Sequence, residues 1–339
     1  MRKFLFAIVI LIGIVFIYFN RSELGSIVDT LKEGDLRFIF LALVVEVIYM
    51  LNVAASFRSV YKALGLKERI DRLIMMAASA NFVNVVAPSG GVGGLGIFIS
   101  EARRNRYSSA RVTVAGAVVV MFDYLGFISL LMLGLAVLFR RNNLNSPEII
   151  ASTIMVVLAI VWTSLLYLGM RSERKFGRVL ACMASFANWI MRPFIHRDYL
   201  SVKRAFAFAH DASEGLAVLR QKPINLILPA FLGLTSKILL MLILLIIFLA
   251  FNVPFSAGTI IAGFSLGYLS WIVSPTPSGI GFVEGALTLA LNSLNVPLGA
   301  ATVIALAYRG VTFWVPMLIG MLAFRWLIRE EKEEVTVSA

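Results

Sequence analysis

Cysteine and histidine are almost missing from this chain of 339 residues, which holds one cysteine, Cys182, and two histidines, His196 and His210. One cysteine excludes an intramolecular disulfide, and three such donors are too few for a Cys/His metal cluster, so no metal is expected. Cys182 reads as a small packing residue and both histidines as surface residues. Charge is scarce too, at 15% of residues, and bases outnumber acids by 31 to 19. Also absent are a His-Glu-x-x-His zinc pattern, a Gly-x-Ser-x-Gly elbow, a Gly-Lys-Ser/Thr phosphate loop and a soluble stretch large enough for a catalytic domain. These absences argue against an enzyme, supply no catalytic residue and imply no cofactor.

What the chain does have is apolar sequence: 60% of residues are hydrophobic and the mean hydropathy is +0.89. Ordinary soluble domains hold nearer half apolar residues, so the expected solvent is lipid. The formal charge of +12 does not indicate nucleic acid, because the bases lie between long apolar runs. Runs near the roughly 20 residues that cross a bilayer occur at 4–19, 38–55, 112–139, 149–170, 224–251 and 301–324. The first follows Arg2 and Lys3 and leads into Asn20-Arg21 without a small-residue cleavage site, so it reads as a retained helix. The fold class expected is an all-α integral membrane protein with six full transmembrane helices.

Two shorter apolar runs, 73–87 and 257–273, each end in a Pro-Ser-Gly cluster. Bases decide their direction under the positive-inside rule. Arg58, Lys62, Lys67, Arg69 and Arg72 precede the first run; Arg103, Arg104, Arg106 and Arg111 follow it; Arg325 and Arg329 follow the last span. All are expected to be cytoplasmic, as are both termini, in a multi-pass protein of the plasma membrane. Asn252-Val253-Pro254 and Asn295-Val296-Pro297 carry no base and are expected outside. With six crossings, both short runs then become re-entrant helical hairpins entering from opposite faces.

The clusters Pro88-Ser89-Gly90-Gly91-Val92-Gly93 and Pro277-Ser278-Gly279-Ile280-Gly281 align, each flanked by one span on either side. The expected organisation is one polytopic domain over 1–339, built as an inverted repeat of 36–140 and 223–328 with a cytoplasmic connector at 171–222. In secondary transporters of this design the site lies near the midplane, where broken helices meet. Non-helical backbone must be buried or line a wet cavity, and free N–H groups at a half-helix start suit an anion. A phosphate-bearing lipid head group fits such a site. The residues expected to line it are Pro88, Ser89, Gly90, Gly91, Gly93, Glu101, Pro277, Ser278, Gly279, Gly281, Glu284 and Arg309. Packing between small residues is the alternative role of glycines in such segments.

Glu46, Asp123, Lys237 and Arg309 fall inside apolar spans, where an ionisable group needs a partner or a wet cavity. Glu46 and Lys237 lie at similar distances ahead of their motifs, and Asp123 and Arg309 at similar distances behind. This spacing predicts pairs of Glu46 with Lys237, and of Asp123 or Glu284 with Arg309. The connector 172–221 mixes bases with Phe186, Trp189, Ile190, Phe194, Phe206 and Phe208, which predicts two amphipathic helices lying on an anionic leaflet or a solvated linker.

The stretch Pro275-Thr276-Pro277-Ser278-Gly279-Ile280-Gly281-Phe282-Val283-Glu284-Gly285-Ala286, followed by Tyr308-Arg309, resembles the Pro-Gly-Gly-x-Gly-x-x-Glu signature of the transmembrane, flippase-like domain of lysylphosphatidylglycerol synthases. That domain is also found as stand-alone membrane proteins, and residues 81–96 look like its first-half partner. The resemblance spans about residues 4 to 329. It implies movement of an anionic phospholipid or polyprenyl-phosphate-linked head group between leaflets, as a flippase or scramblase, with Glu284 and Arg309 as the polar centre. Ser278 stands where the first glycine of the usual pair would be, and Glu101 lies further from its glycines than Glu284 from its own. No aminoacyl-transferase domain is fused within this chain. The alternative reading is therefore a lipid-binding membrane subunit of a phospholipid-modifying or glycolipid-synthesis enzyme, working with a separate aminoacyl- or glycosyltransferase. An oligomer is compatible with either.

Overall fold

A computed structural model describes residues 21–86, 92–104, 107–141, 146–191, 202–274 and 276–337. Among these residues the regular structure is helical throughout: α1 (Arg21–Glu33), α2 (Leu36–Ala63), α3 (Ile70–Val86), α4 (Val92–Arg104), α5 (Ser109–Arg140), α6 (Ser146–Arg171), α7 (Glu173–Met191), α8 (Val202–Gln221), α9 (Ile227–Ala250), α10 (Ala257–Val273), α11 (Phe282–Ser293), α12 (Leu298–Arg309) and α13 (Val315–Val337). Helix starts follow ordinary capping chemistry, in which a side-chain oxygen accepts from a free backbone N–H. The Asp35 carboxylate accepts from the Arg37 N–H at 2.9 Å to open α2, and the Ser256 hydroxyl from the Thr259 N–H at 3.1 Å to open α10.

Five helical stretches are long and apolar enough to cross a bilayer: Leu36–Ala63, Ser109–Arg140, Ile149–Arg171, Pro223–Ala250 and Leu298–Glu330. They contain five of the six expected spans; the sixth, 4–19, lies outside the described residues. The last stretch is not a uniform helix, since a π-helical turn at Gly310–Trp314 joins α12 to α13. On α2 the residues Leu36, Phe40, Val44, Val47, Ile48 and Leu51 are exposed, while Ile39, Ala42, Val45 and Glu46 are buried. Hydrocarbon facing outward on one stripe and a packed stripe facing inward is the pattern of a helix at a protein–lipid boundary.

The long and short helices pack reciprocally. α2 lies along α9, the short α3 packs on the late long helix α13, and the short α10 packs on the early long helix α5. Where α5 crosses α9, Gly126 faces the Gly233 carbonyl and Gly233 the Phe122 carbonyl, so that a Cβ on either would sit 2.6 Å from backbone oxygen. Small residues here set how closely the two backbones approach.

The connector corrects its expectation in part. It does form two helices, α7 and α8, with Gly177 against Phe206. α8, however, buries Ala209, Ala212, Leu216 and Leu219 against the protein, and Arg111 of α5 holds Glu214 at 2.6 Å. Its apolar face is therefore covered by α5 and α6 rather than left for a leaflet. His210 is a surface residue as expected and meets Glu173 at 3.0 Å; His196 lies outside the described residues. Cys182 is exposed, not packed.

Candidate functional site

The second Pro-Ser-Gly cluster forms a tight turn between α10 and α11. Ser274 and Thr276 bond to each other through their hydroxyls at 2.9 Å, and Pro277–Gly279 makes one 3-10 turn. Ser278, Gly279 and Gly281 all have positive φ, at 57°, 80° and 73°. Glycine takes such values without steric cost, whereas Ser278 stores strain there. Gly279 is further constrained by Val283, whose Cγ2 lies 2.5 Å from where a Cβ would be. α11 then starts at Phe282, with Glu284 in its first turn, where free N–H groups favour an acid.

Arg309, the last residue of α12, closes on this turn. Its Nε donates to Glu284 Oε1 at 2.6 Å, its Nη2 donates to the Ser278 carbonyl at 3.1 Å, and its guanidinium sits 4.2 Å from the centre of the Phe313 ring. Arg309 and Glu284 are only 5% and 7% exposed, and Glu284 Oε2 has no hydrogen-bond partner among the described residues. The carbonyl of a non-helical residue has been left without a helix partner, and the guanidinium supplies one. Its fork lets one side chain hold a carboxylate and a carbonyl at once, which an ammonium does less well.

The first cluster is reached only at its flanks. Pro88, Ser89, Gly90 and Gly91 lie outside the described residues. On either side α3 packs on α4, and the Gly94 N–H donates to Asn84 Oδ1 at 2.7 Å. The Ser278 hydroxyl donates to the Val85 carbonyl at 3.2 Å, so the end of α3 meets the second turn directly. Glu101 is placed elsewhere, which corrects its inclusion among the lining residues: it bonds Arg72 at 2.7 Å. Arg72 is in the first turn of α3 and Val85 at its end, about 20 Å apart at 1.5 Å per residue. Arg72 also reaches Glu330 of α13 at 3.2 Å, so Glu101 belongs to a clasp at the far end of this helix pair.

The lysine pairs otherwise than its spacing predicts. Lys237, 1% exposed, meets Asp123 at 2.7 Å rather than Glu46. It donates to the Tyr268 hydroxyl at 2.5 Å, and that hydroxyl donates to Asp123 at 3.3 Å. The triad ties α9, α5 and α10 together. Arg309 chooses Glu284 over Asp123. Glu46 is fully buried, and neither carboxylate oxygen is bonded among the described residues.

A family model described as the lysylphosphatidylglycerol synthase TM region matches residues 4–320. The chain belongs to this family. It is also similar to a UPF0104 membrane protein of Methanocaldococcus jannaschii, at 21% identity over 95% of both chains, and to a UPF0104 membrane protein of Methanothermobacter thermautotrophicus, at 22% identity over 94% of both. The family assignment makes this a membrane protein carrying that region as most of its length.

In this member of the family, Tyr268, Asn84 and the Arg72–Glu330 contact escaped the sequence argument. A hydroxyl or amide inside an apolar run was the available signal, since each must find a partner in lipid. Asn52 is a fourth instance, donating to the Leu232 carbonyl and the Ser236 hydroxyl, both at 2.8 Å.

Proposed function

We propose that this chain carries the anionic head group of a phospholipid or polyprenyl-phosphate-linked lipid between leaflets of the plasma membrane. The observation that carries this reading is Arg309, buried and shared between Glu284 and the Ser278 carbonyl at a turn that touches the end of α3. A lipid phosphate offers the guanidinium the same bidentate geometry as a carboxylate, so it can displace Glu284 without leaving Arg309 unpaired. The head group would then sit where the two halves meet, with its chains in lipid.

The helix pairs α3–α4 and α10–α11 act as re-entrant hairpins from opposite faces in this reading. Helices of 17 residues reach about 25 Å and one of 12 about 18 Å, short of the roughly 30 Å hydrocarbon core. Reciprocal packing of α3 on α13 and α10 on α5 supports an inverted repeat of 36–140 and 223–328. Alternating exposure of the two turns gives passage, with both termini on the cytoplasmic side.

The test is leaflet exchange of labelled phosphatidylglycerol and labelled polyprenyl phosphate in proteoliposomes, for the natural chain, Glu284→Gln and Arg309→Ala. Exchange well above empty liposomes that both substitutions abolish, in variants that still fold, is the expected result. Lipid binding at Arg309 without exchange would instead favour the lipid-binding subunit of a synthase.

A further inference from the structure

Glu46 is a buried acid that the head-group site does not use. It lies on the inward stripe of α2, is 0% exposed, and neither oxygen has a partner among the described residues. An unpaired carboxylate in such a place is costly enough that a buried acid normally stays neutral.

Its surroundings count charge in a closed way. Tyr49 of the same helix is in electrostatic reach of both Glu46 and Asp123, and Tyr308 of both Glu46 and Arg309. α2 packs on α9 and α5, which carry Lys237 and Asp123, and on the π-helical turn that directly follows Arg309. α3 keeps its charges, Asp71 and Arg72, in its first turn, and Asp29 and Lys32 of α1 form an exposed pair. Lys237 is matched by Asp123, whose side chain is 30% exposed, and Arg309 by Glu284, so each of the two buried cations already has its own acid. An ionised Glu46 would add one uncompensated negative charge; the neutral acid adds none.

We propose that Glu46 is a proton-carrying group linked to anion binding, so that this protein takes up a proton together with its anionic ligand. An anion arriving at Arg309 makes the same neighbourhood more negative and so strengthens the hold of Glu46 on its proton. When the bundle later opens Glu46 to water, the carboxylic O–H gives its proton to solvent and the carboxylate is hydrated until the next uptake. Proton and anion then travel in the same direction, toward the alkaline side. The direction of travel rests on the transport reading above, whereas the linkage between proton and anion does not.

Infrared difference spectra of the full chain in detergent, with and without phosphatidylglycerol, test the linkage. The protonated-carboxyl C=O stretch is expected in the natural chain at neutral pH, absent in Glu46→Gln and displaced in Glu46→Asp. Added phosphatidylglycerol should raise the pH midpoint at which it disappears by about half a unit, and reciprocity then makes lipid binding about threefold tighter when Glu46 is protonated. A missing band, or a midpoint indifferent to the lipid, overturns the proposal. In proteoliposomes an imposed pH gradient should drive labelled phosphatidylglycerol toward the alkaline side in the natural chain and leave Glu46→Gln indifferent. Fast exchange that ignores the gradient in both overturns the coupling while the transport reading stands. No exchange, with the band and its shift present, removes the transport reading and keeps the linkage.

Discussion

Two ion pairs in this bundle have buried cations, and their surroundings differ. Lys237 and Asp123 join regular helices through Tyr268, and the side chain of Asp123 is 30% exposed. Arg309 and Glu284 are both almost fully buried and close on a turn with three left-handed residues, one of whose carbonyls Arg309 also holds. The first pair satisfies two charges inside a scaffold. The second satisfies a gap in the backbone as well. Irregular backbone inside an apolar bundle must find such a partner.

Removing Arg309 should break this comparison most sharply. Arg309→Ala leaves Glu284 and the Ser278 carbonyl without a donor, and a loss of about 3–5 kcal/mol is expected from thermal melts in detergent micelles. Arg309→Lys should recover part of that stability but not lipid exchange, because an ammonium lacks the fork. If Arg309→Ala melts like the natural chain, the pair is not the keystone of the turn.

The scaffold pair should behave non-additively. Lys237→Met alone strands Asp123, whereas Lys237→Met with Asp123→Asn removes both charges, so the double variant should be more stable than the single by about 1–3 kcal/mol. A double variant no better than the single would mean that Tyr268 alone carries the contact. A melt series of the four combinations measures it.

Smaller still is the turn itself. Gly279→Ala places a Cβ against Val283 at a positive φ, and a loss of about 1–3 kcal/mol is expected in the same melts. Gly285→Ala, which meets nothing within 4 Å, serves as the matched control and should be near neutral.

The smallest effect lies outside the bundle core. The Glu173 carboxylate raises the His210 imidazole above its ordinary value, so the protonated pair favours the folded state. Its contribution to α7–α8 packing is full below the ordinary imidazole range and fades as pH rises through the raised folded value. Hydrogen exchange of α8 amides should therefore quicken modestly with pH across that window beyond the intrinsic rate, and Glu173→Gln should remove the extra dependence.

Much of the architecture was legible because lipid imposes strict rules on composition. The apolar runs at 38–55, 112–139, 149–170, 224–251 and 301–324 all fall within long helices, and 257–273 is itself the short helix α10. The pairing of Arg309 with Glu284 was among the alternatives that spacing allowed. Lys237 and Glu46 were misjudged because equal distance from a motif says nothing about which side of a helix a residue occupies. Glu101 was misplaced because its distance from the glycines put it about three turns along α4, where Arg72 lies opposite. The docking of α8 was hidden for a related reason: an amphipathic stripe states that a face needs cover, not whether lipid or protein provides it.

By itself, then, the sequence determined that the chain lives in lipid, where its long helices run and that the chain turns at 277–281, since hydropathy and glycine-proline chemistry act locally. Only the tertiary structure decided which buried charges meet and that Glu46 meets none among the described residues, because pairing depends on helix rotation and crossing, and these are set by contacts between residues far apart in the chain.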